Sequence, residues 1–158
     1  MNPDYNITGV DIKRLKAFED QRGWLAEIYR ADELDEGQFP QMAYISMTRP
    51  GMSRGPHEHR CQTDLFCFLG TSDFVLLVWD NRPDSLTYRK KARIEINREE
   101  LVSVKIPPGV VHAYKNMGEN EGLILNAPNK LYAGRKRREE VDEIRYEDDP
   151  GSPFKIDF

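Results

Sequence analysis

Gly51-Met52-Ser53-Arg54-Gly55-Pro56-His57-Glu58-His59-Arg60-Cys61-Gln62-Thr63-Asp64-Leu65-Phe66-Cys67-Phe68-Leu69-Gly70 is the stretch whose reading decides the fold. His57 and His59 stand two apart. Residues two apart on a strand share a face, so both imidazoles are expected to look into one cavity and Glu58 to look away. Asp64 opens the alternating run Asp64-Leu65-Phe66-Cys67-Phe68. A hairpin between the two runs would bring Asp64 back beside the imidazoles.

A second stretch, Ile106-Pro107-Pro108-Gly109-Val110-Val111-His112-Ala113-Tyr114-Lys115-Asn116, has a proline–glycine turn feeding a short strand that carries His112. The chain has 3 histidines, and all fall in these two stretches. Together the stretches resemble the two cupin motifs. Asp64 takes the place of the usual glutamate in the first. Pro107, Gly109, His112 and Asn116 match the second. The resemblance implies an all-β, cupin-type double-stranded β-helix, that is, a jelly-roll barrel with short flanking segments. His57, His59, Asp64 and His112 supply three imidazoles and one carboxylate. That donor set suits zinc, manganese, iron or nickel.

The bulk numbers narrow the function. The chain has 158 residues, enough for one domain with a real core. A formal net charge of -4 argues against a nucleic-acid partner, because phosphate backbones attract basic faces. No apolar run approaches the length of about 20 residues that spans a bilayer. Residues 1–8 are polar and lack a signal-peptide core, so a cytoplasmic location and no membrane partner are expected. In that setting Cys61 and Cys67 are expected as reduced thiols.

Along the chain, alternation predicts strands over Val10–Leu15, Trp24–Tyr29, Gln41–Arg49, Tyr88–Ile96 and Leu101–Ile106. Phe74–Trp79 is apolar throughout and reads as a central strand. Leu123–Leu125 is a further strand, and Ala31–Phe39 a short helical turn or loop. Trp24 and Trp79 are read as core rings. Turn residues separate these runs every eight to twelve positions, as in a sandwich or barrel. A single domain over residues 1–158 is expected, with residues 1–17 as an N-terminal arm and residues 134–158 as a charged segment docking on the barrel. Within it, Arg135-Lys136-Arg137-Arg138 is either a solvated loop or a basic lid over an anionic ligand.

Several words in order make the chain similar, from about Phe18 to Phe158, to the dTDP-4-dehydrorhamnose 3,5-epimerases. They are Phe18-x-Asp20-x-Arg22-Gly23-x3-Glu27, Gln41 to Ser46, Pro50-Gly51-x2-Arg54-Gly55-x-His57, Asp80-x-Arg82-x2-Ser85-x-Thr87-Tyr88 and Ile106-Pro107-x-Gly109-x2-His112. The resemblance implies a homodimeric jelly roll that acts on a nucleotide-linked 4-keto-6-deoxy sugar without a required cofactor. It implies His57 as the base and Arg22, Glu27, Gln41, Arg54 and His112 as substrate-binding positions. Tyr132 falls where the family stacks an aromatic ring on the nucleobase. Asn126 stands where the family has its catalytic tyrosine and is a further expected substrate-binding position. The family's aspartate partner for the base has no counterpart before Phe158. Arg54-Gly55-Pro56-His57-Glu58-His59 also resembles a word of the sugar-nucleotide 3,4-ketoisomerases, in which a histidine pair moves a proton.

Three functions follow as expectations. In the first, a sugar-nucleotide isomerase uses His57 to remove a proton beside a keto group, and His59 or one of Tyr44, Tyr114 and Tyr132 returns it. In the second, a metal held by His57, His59, Asp64 and His112 serves as Lewis acid or oxygen site. In the third, the pocket binds a nucleotide sugar without turning it over.

Overall fold

The computed structural model describes residues 5–158. Twelve strands are present among them, and ten form two facing five-stranded sheets. The first sheet holds β1 (Asp11–Arg14), β9 (Leu101–Ile106), β6 (Asp64–Leu69), β11 (Gly122–Asn126) and β4 (Tyr44–Thr48), in that spatial order. The second holds β12 (Ile144–Arg145), β5 (Ser53–Glu58), β10 (Val110–Asn116), β7 (Phe74–Asp80) and β8 (Lys91–Ile96). All pairings are antiparallel. This is the jelly-roll sandwich expected from the two motifs.

Period-two alternation sorts the side chains. Phe66 and Phe68 of β6, Val104 of β9, Ile124 of β11, Leu76 and Val78 of β7, and Ile94 of β8 fill the space between the sheets. The other face of β7 is also apolar. Val75, Leu77 and Trp79 join Val111 and Ala113 in a second cluster, covered by Tyr146, Phe154 and Phe158. The uninterrupted run Phe74–Trp79 therefore has a reason: both of its faces are buried, one by the opposite sheet and one by the C-terminal segment. Residues from Pro153 onward dock there, as the alternating Phe154, Ile156 and Phe158 suggest.

Several expectations need correction. The runs around His57 and Asp64 do not pair as a hairpin. β5 and β6 lie in opposite sheets, and residues 59–63 carry the chain across. Asp64 still reaches the imidazoles, because it faces them across the sandwich. The strand expected over Trp24–Tyr29 is shorter. β2 (Ala17–Asp20) and β3 (Gly23–Ala26) form a two-stranded hairpin outside both sheets. Trp24 is consequently 56% exposed rather than a core ring, whereas Trp79 is buried. The strand expected from Tyr88 begins only at Lys91, because Ser85 to Lys90 turns. Cys61 and Cys67 are both free, Cys61 exposed and Cys67 buried. Among the described residues no helix is long and apolar enough to cross a membrane.

The family word Asp80-x-Arg82-x2-Ser85-x-Thr87 is a folding device. Asp80 ends β7 and is buried, and its carboxylate accepts from Arg82 Nε (2.8 Å) and Nη2 (2.9 Å), Ser85 Oγ (2.5 Å) and Thr87 Oγ1 (2.5 Å). Arg82 then donates to the carbonyl of Thr8, tying the N-terminal arm to the β7–β8 turn. Gly109, at φ 74°, sits so close that a Cβ there would meet Arg82 Cγ at 2.6 Å. The glycine of the second motif thus serves the packing of that turn as well as its left-handed backbone.

Candidate active site

One end of the sandwich stays open as a cup of about 1280 Å3. Its walls are the inward positions that the apolar core leaves unfilled. On the second sheet these include His57, and the buried His112 lies beside it across the β5–β10 pairing with ring centroids 4.3 Å apart. Gly55 allows the two strands this approach, since a Cβ there would lie 2.5 Å from the His112 carbonyl oxygen. On the first sheet Tyr44 and Ser46 of β4 and Phe66 of β6 line it, with Asp64 of β6 and Asn126 of β11 buried beside them.

The three imidazoles differ in what occupies them. His59 donates from Nδ1 to the Asp142 carbonyl, and its Nε2 lies 3.1 Å from Gln62 Nε2 and 3.2 Å from Asp64 Oδ2. Burial works against a charge on His59, but the hydrogen bond and field of Asp64 outweigh it and its pKa is raised. His112 is fully buried, and burial lowers its pKa. Its Nδ1 donates to the Val110 carbonyl (3.1 Å), which leaves a lone pair on Nε2. That Nε2 has no hydrogen-bond partner and lies 3.5 Å from Asp64 Oδ2. His57 makes no hydrogen bond from either ring nitrogen to any described residue. Burial and the neighbouring His112 and His59 push its pKa down to about 2, so the ring is neutral at physiological pH. A neutral imidazole with an unoccupied lone pair on a cup wall can take up a proton, at the cost of holding an imidazolium in a buried site.

Asp64 is buried yet ionised. Burial opposes the charge, but hydrogen bonding from His59, the nearby imidazoles and Asn126 hold its pKa well below the ordinary carboxyl range. Asn126 Nδ2 donates to Asp64 Oδ1 (2.8 Å) and to Tyr44 Oη (2.9 Å), while its Oδ1 accepts from the Leu65 N–H (3.1 Å).

The donor atoms of His57, His59 and His112 lie within 4.8 Å of one another. Three imidazoles so placed could hold a divalent metal, with Asp64 Oδ2 at 3.2 Å from His59 Nε2 and 3.5 Å from His112 Nε2, and the unpartnered Nε2 of buried His112 is the observation that favours it.

The remaining sequence-derived positions divide. Gln41, Arg54 and Tyr132 line the cup, with Arg54 Nη2 donating to the Met47 carbonyl and Tyr132 half exposed at the rim. Arg22 and Glu27 do not join it. Arg22 is paired with Asp20 in the β2–β3 turn, and Glu27 pairs with Arg30 beside a small groove behind β1. Arg135 and Arg137 of the basic run do reach the rim, so that run borders the cup. Sequence reasoning missed Gln62, Asp142 and Glu147. The Glu147 carboxylate lies 4.0 Å from His57 Nδ1, too far for a direct hydrogen bond but near enough for its charge to act. No local pattern marks it, because it arrives from 90 positions downstream. A rim of mixed charge, with Lys130, Arg135, Arg137 and Arg145 beside Glu139, Glu140 and Glu143, likewise forms only when the C-terminal segment folds over the opening.

Comparison with known proteins gives a consistent picture. The family model for dTDP-4-dehydrorhamnose 3,5-epimerase matches residues 4–149. The probable low-salt glycan biosynthesis epimerase Agl13 of Haloferax volcanii is 34% identical over 129 residues, covering 80% of this chain and 81% of the relative. The dTDP sugar isomerase of Desulfovibrio desulfuricans superposes with a TM-score of 0.79 at 21% identity, covering 94% of this chain and 91% of that one. The dTDP-6-deoxy-D-glucose-3,5-epimerase of Legionella pneumophila, in complex with dTDP-4-keto-L-rhamnose, superposes with a TM-score of 0.75 at 19% identity, covering 90% and 74%.

Proposed function

The chain belongs to the dTDP-4-dehydrorhamnose 3,5-epimerase family, and from that premise we propose that it epimerises a dTDP-4-keto-6-deoxyhexose by proton transfer next to the keto group. The observation that carries this reading is His57: neutral, free at both ring nitrogens, and set in the wall of a cup large enough for a sugar nucleotide. The carbonyl acidifies the neighbouring C–H. His57 takes that proton, the C–H electrons pass into an enolate, and a proton is returned to the opposite face. The His59–Asp64 pair holds its own proton and steadies the floor of the cup rather than abstracting one. Arg54 and the Arg135–Arg137 rim suit a diphosphate, for which a guanidinium fork is complementary. Tyr132, half exposed at that rim, suits a nucleobase face. Incubation with a dTDP-4-keto-6-deoxyhexose in deuterated water tests the reading. Deuterium at C3 or C5 and a new epimer are expected; a sugar recovered without either rejects it.

We also propose a homodimer. β4 is an edge strand with Ile45 64% exposed, and the β2–β3 hairpin presents Trp24 and Leu25 to solvent. A second copy would cover both edge and rings. It would also give Arg22 and Glu27, which stand outside this chain's cup, a second cup to serve. Light scattering is expected to give twice the chain mass, and Ile45→Lys to shift it toward one chain; a wild-type monomer at micromolar concentration removes the proposal.

The orphaned Nε2 of His112 favours a second reading, in which His57, His59, His112 and Asp64 hold a divalent metal. Such a metal would supply Lewis acidity at the keto oxygen. Elemental analysis of untagged protein, followed by titration with zinc, nickel and manganese, tests it. Protein that carries no metal and takes up none of the three excludes this reading.

A further inference from the structure

Epimerisation inverts a carbon, so a proton removed from one face must be replaced on the other. His57 projects from the second sheet. The donor must therefore come from the wall that faces it, the first sheet. Its inward side chains at the cup are few. Asp64 is turned to its neighbours, with Oδ1 accepting from Asn126 Nδ2 at 2.8 Å and Oδ2 lying 3.2 Å from His59 Nε2. Asn126 is an amide. Ser46 is engaged with Tyr114 at 3.2 Å. Tyr44 remains.

The hydrogen bonds around Tyr44 fix where its proton points. Leu65 N–H donates to Asn126 Oδ1, so the amide cannot turn over. Both hydrogens of its Nδ2 are then committed, one to Asp64 and one to Tyr44 Oη. Tyr44 Oη is the acceptor in that bond. Its own hydrogen must leave in another direction, and no described residue accepts it. The ring lines the cup, so that direction is open to a ligand. The other two phenols of the cup are placed differently: Tyr114 is buried against Ser46, and Tyr132 stands on the rim.

We propose that Tyr44 is the proton donor of the reaction, held and aimed by Asn126 from the adjacent strand. The proposal rests on the proton-transfer reading given above. In the step, His57 removes the proton beside the carbonyl and the C–H electron pair becomes the enolate. The enolate carbon then takes the proton of Tyr44 Oη from the opposite face, and the carbonyl re-forms. Tyr44 is left as phenolate and His57 as imidazolium; the proton on His57 leaves to water and one from water restores the phenol. Asn126 stabilises the transient phenolate, because its N–H is already directed at Oη. Burial raises the Tyr44 pKa, so the phenol enters each cycle protonated.

The test measures two rates on one sample in deuterated water: deuterium entry at the reacting carbon, and formation of the epimer. Wild-type protein showing neither overturns the epimerase reading itself, independently of Tyr44. Given an active wild type, Tyr44→Phe is expected to keep deuterium entry within about five-fold, since His57 still removes the proton and returns deuterium to the same face. Epimer formation is expected to fall on the order of 100-fold or more, the usual worth of a positioned acid. An epimer rate within three-fold of wild type overturns the proposal. So does equal loss of both rates with dTDP affinity and melting temperature unchanged, because that is the signature of lost substrate positioning. Asn126→Ala gives a second reading should the phenylalanine variant fold poorly. A fall of about ten-fold in the ratio of epimer formed to deuterium incorporated is expected, and an unchanged ratio counts against Tyr44 as donor.

Discussion

Replacing His57 with asparagine is expected to lower turnover by about 10^3-fold while the protein stays folded and still binds dTDP, since a positioned general base is worth on the order of 10^2 to 10^4 in rate. Asparagine nearly fills the same space but has no basic lone pair, so the change isolates proton abstraction. Deuterium entry at the reacting carbon should vanish together with the epimer, unlike the outcome expected for Tyr44→Phe. The contrast follows from their order in the reaction: nothing exchanges unless the C–H bond is first broken. His57 is also the residue with least to lose structurally. It makes no hydrogen bond to a described residue, whereas His59 and His112 each support backbone through Nδ1. Retention of more than a tenth of wild-type turnover in His57→Asn would transfer the base to another group and undo the assignment.

Asp80→Ala is expected to be the most destabilising single change outside the cup, costing about 3 kcal/mol, because it strands a paired guanidinium and two hydroxyls. For a domain of this length that corresponds to a melting temperature lower by roughly 6–12 °C. The Asp80 carboxylate accepts from Arg82, Ser85 and Thr87, and Arg82 in turn secures Thr8 and packs on Gly109. Burial opposes its charge, but those donors outweigh burial and hold its pKa far below the ordinary carboxyl value. The sign follows from linkage. A carboxyl that is more acidic folded than unfolded stabilises the native state above its unfolded pKa of about 3.9. That contribution is lost as pH falls below this value toward the folded one. The wild type should therefore lose part of its margin over Asp80→Ala between about pH 4 and pH 2. Guanidinium unfolding at pH 7 and in that acid range checks both statements. Equal midpoints for variant and wild type at pH 7 would show that the turn is held by something else.

Much of this molecule is legible in its residues. The spacing of His57 and His59, the alternation after Asp64 and the proline–glycine turn before His112 are local patterns, and each describes a strand with a known inward face. Because side chains alternate strictly along strands, these patterns predict the jelly roll and assign three imidazoles and one carboxylate to its interior, where the structure places them. The words shared with the epimerase family lead to the same fold but are mixed in purpose. Asp80, Arg82, Ser85 and Thr87 secure a turn, while Arg54, Gln41 and His57 line the cup. Identity of the words alone does not separate the two kinds, since both depend on the same side chains and differ only in what stands opposite.

What local pattern could not supply is the distribution of duties within the cup. Glu147 meets His57, and Asp142 meets His59, only because the C-terminal segment crosses the opening of the sandwich. The sequence by itself determined most of the strands, the sandwich and the inward orientation of the histidines, since period two and turn chemistry act between neighbours. Only the tertiary structure decided that His59 is occupied and His57 free, that Arg22 and Glu27 lie away from this chain's cup, and that Asn126 turns its amide toward Tyr44. The placing of His59 and of the Asn126 amide follows from hydrogen bonds closed between elements more than 60 residues apart, whose partners are fixed by where the sheets lie against each other, while Arg22 and Glu27 are held outside by local pairs with Asp20 and Arg30.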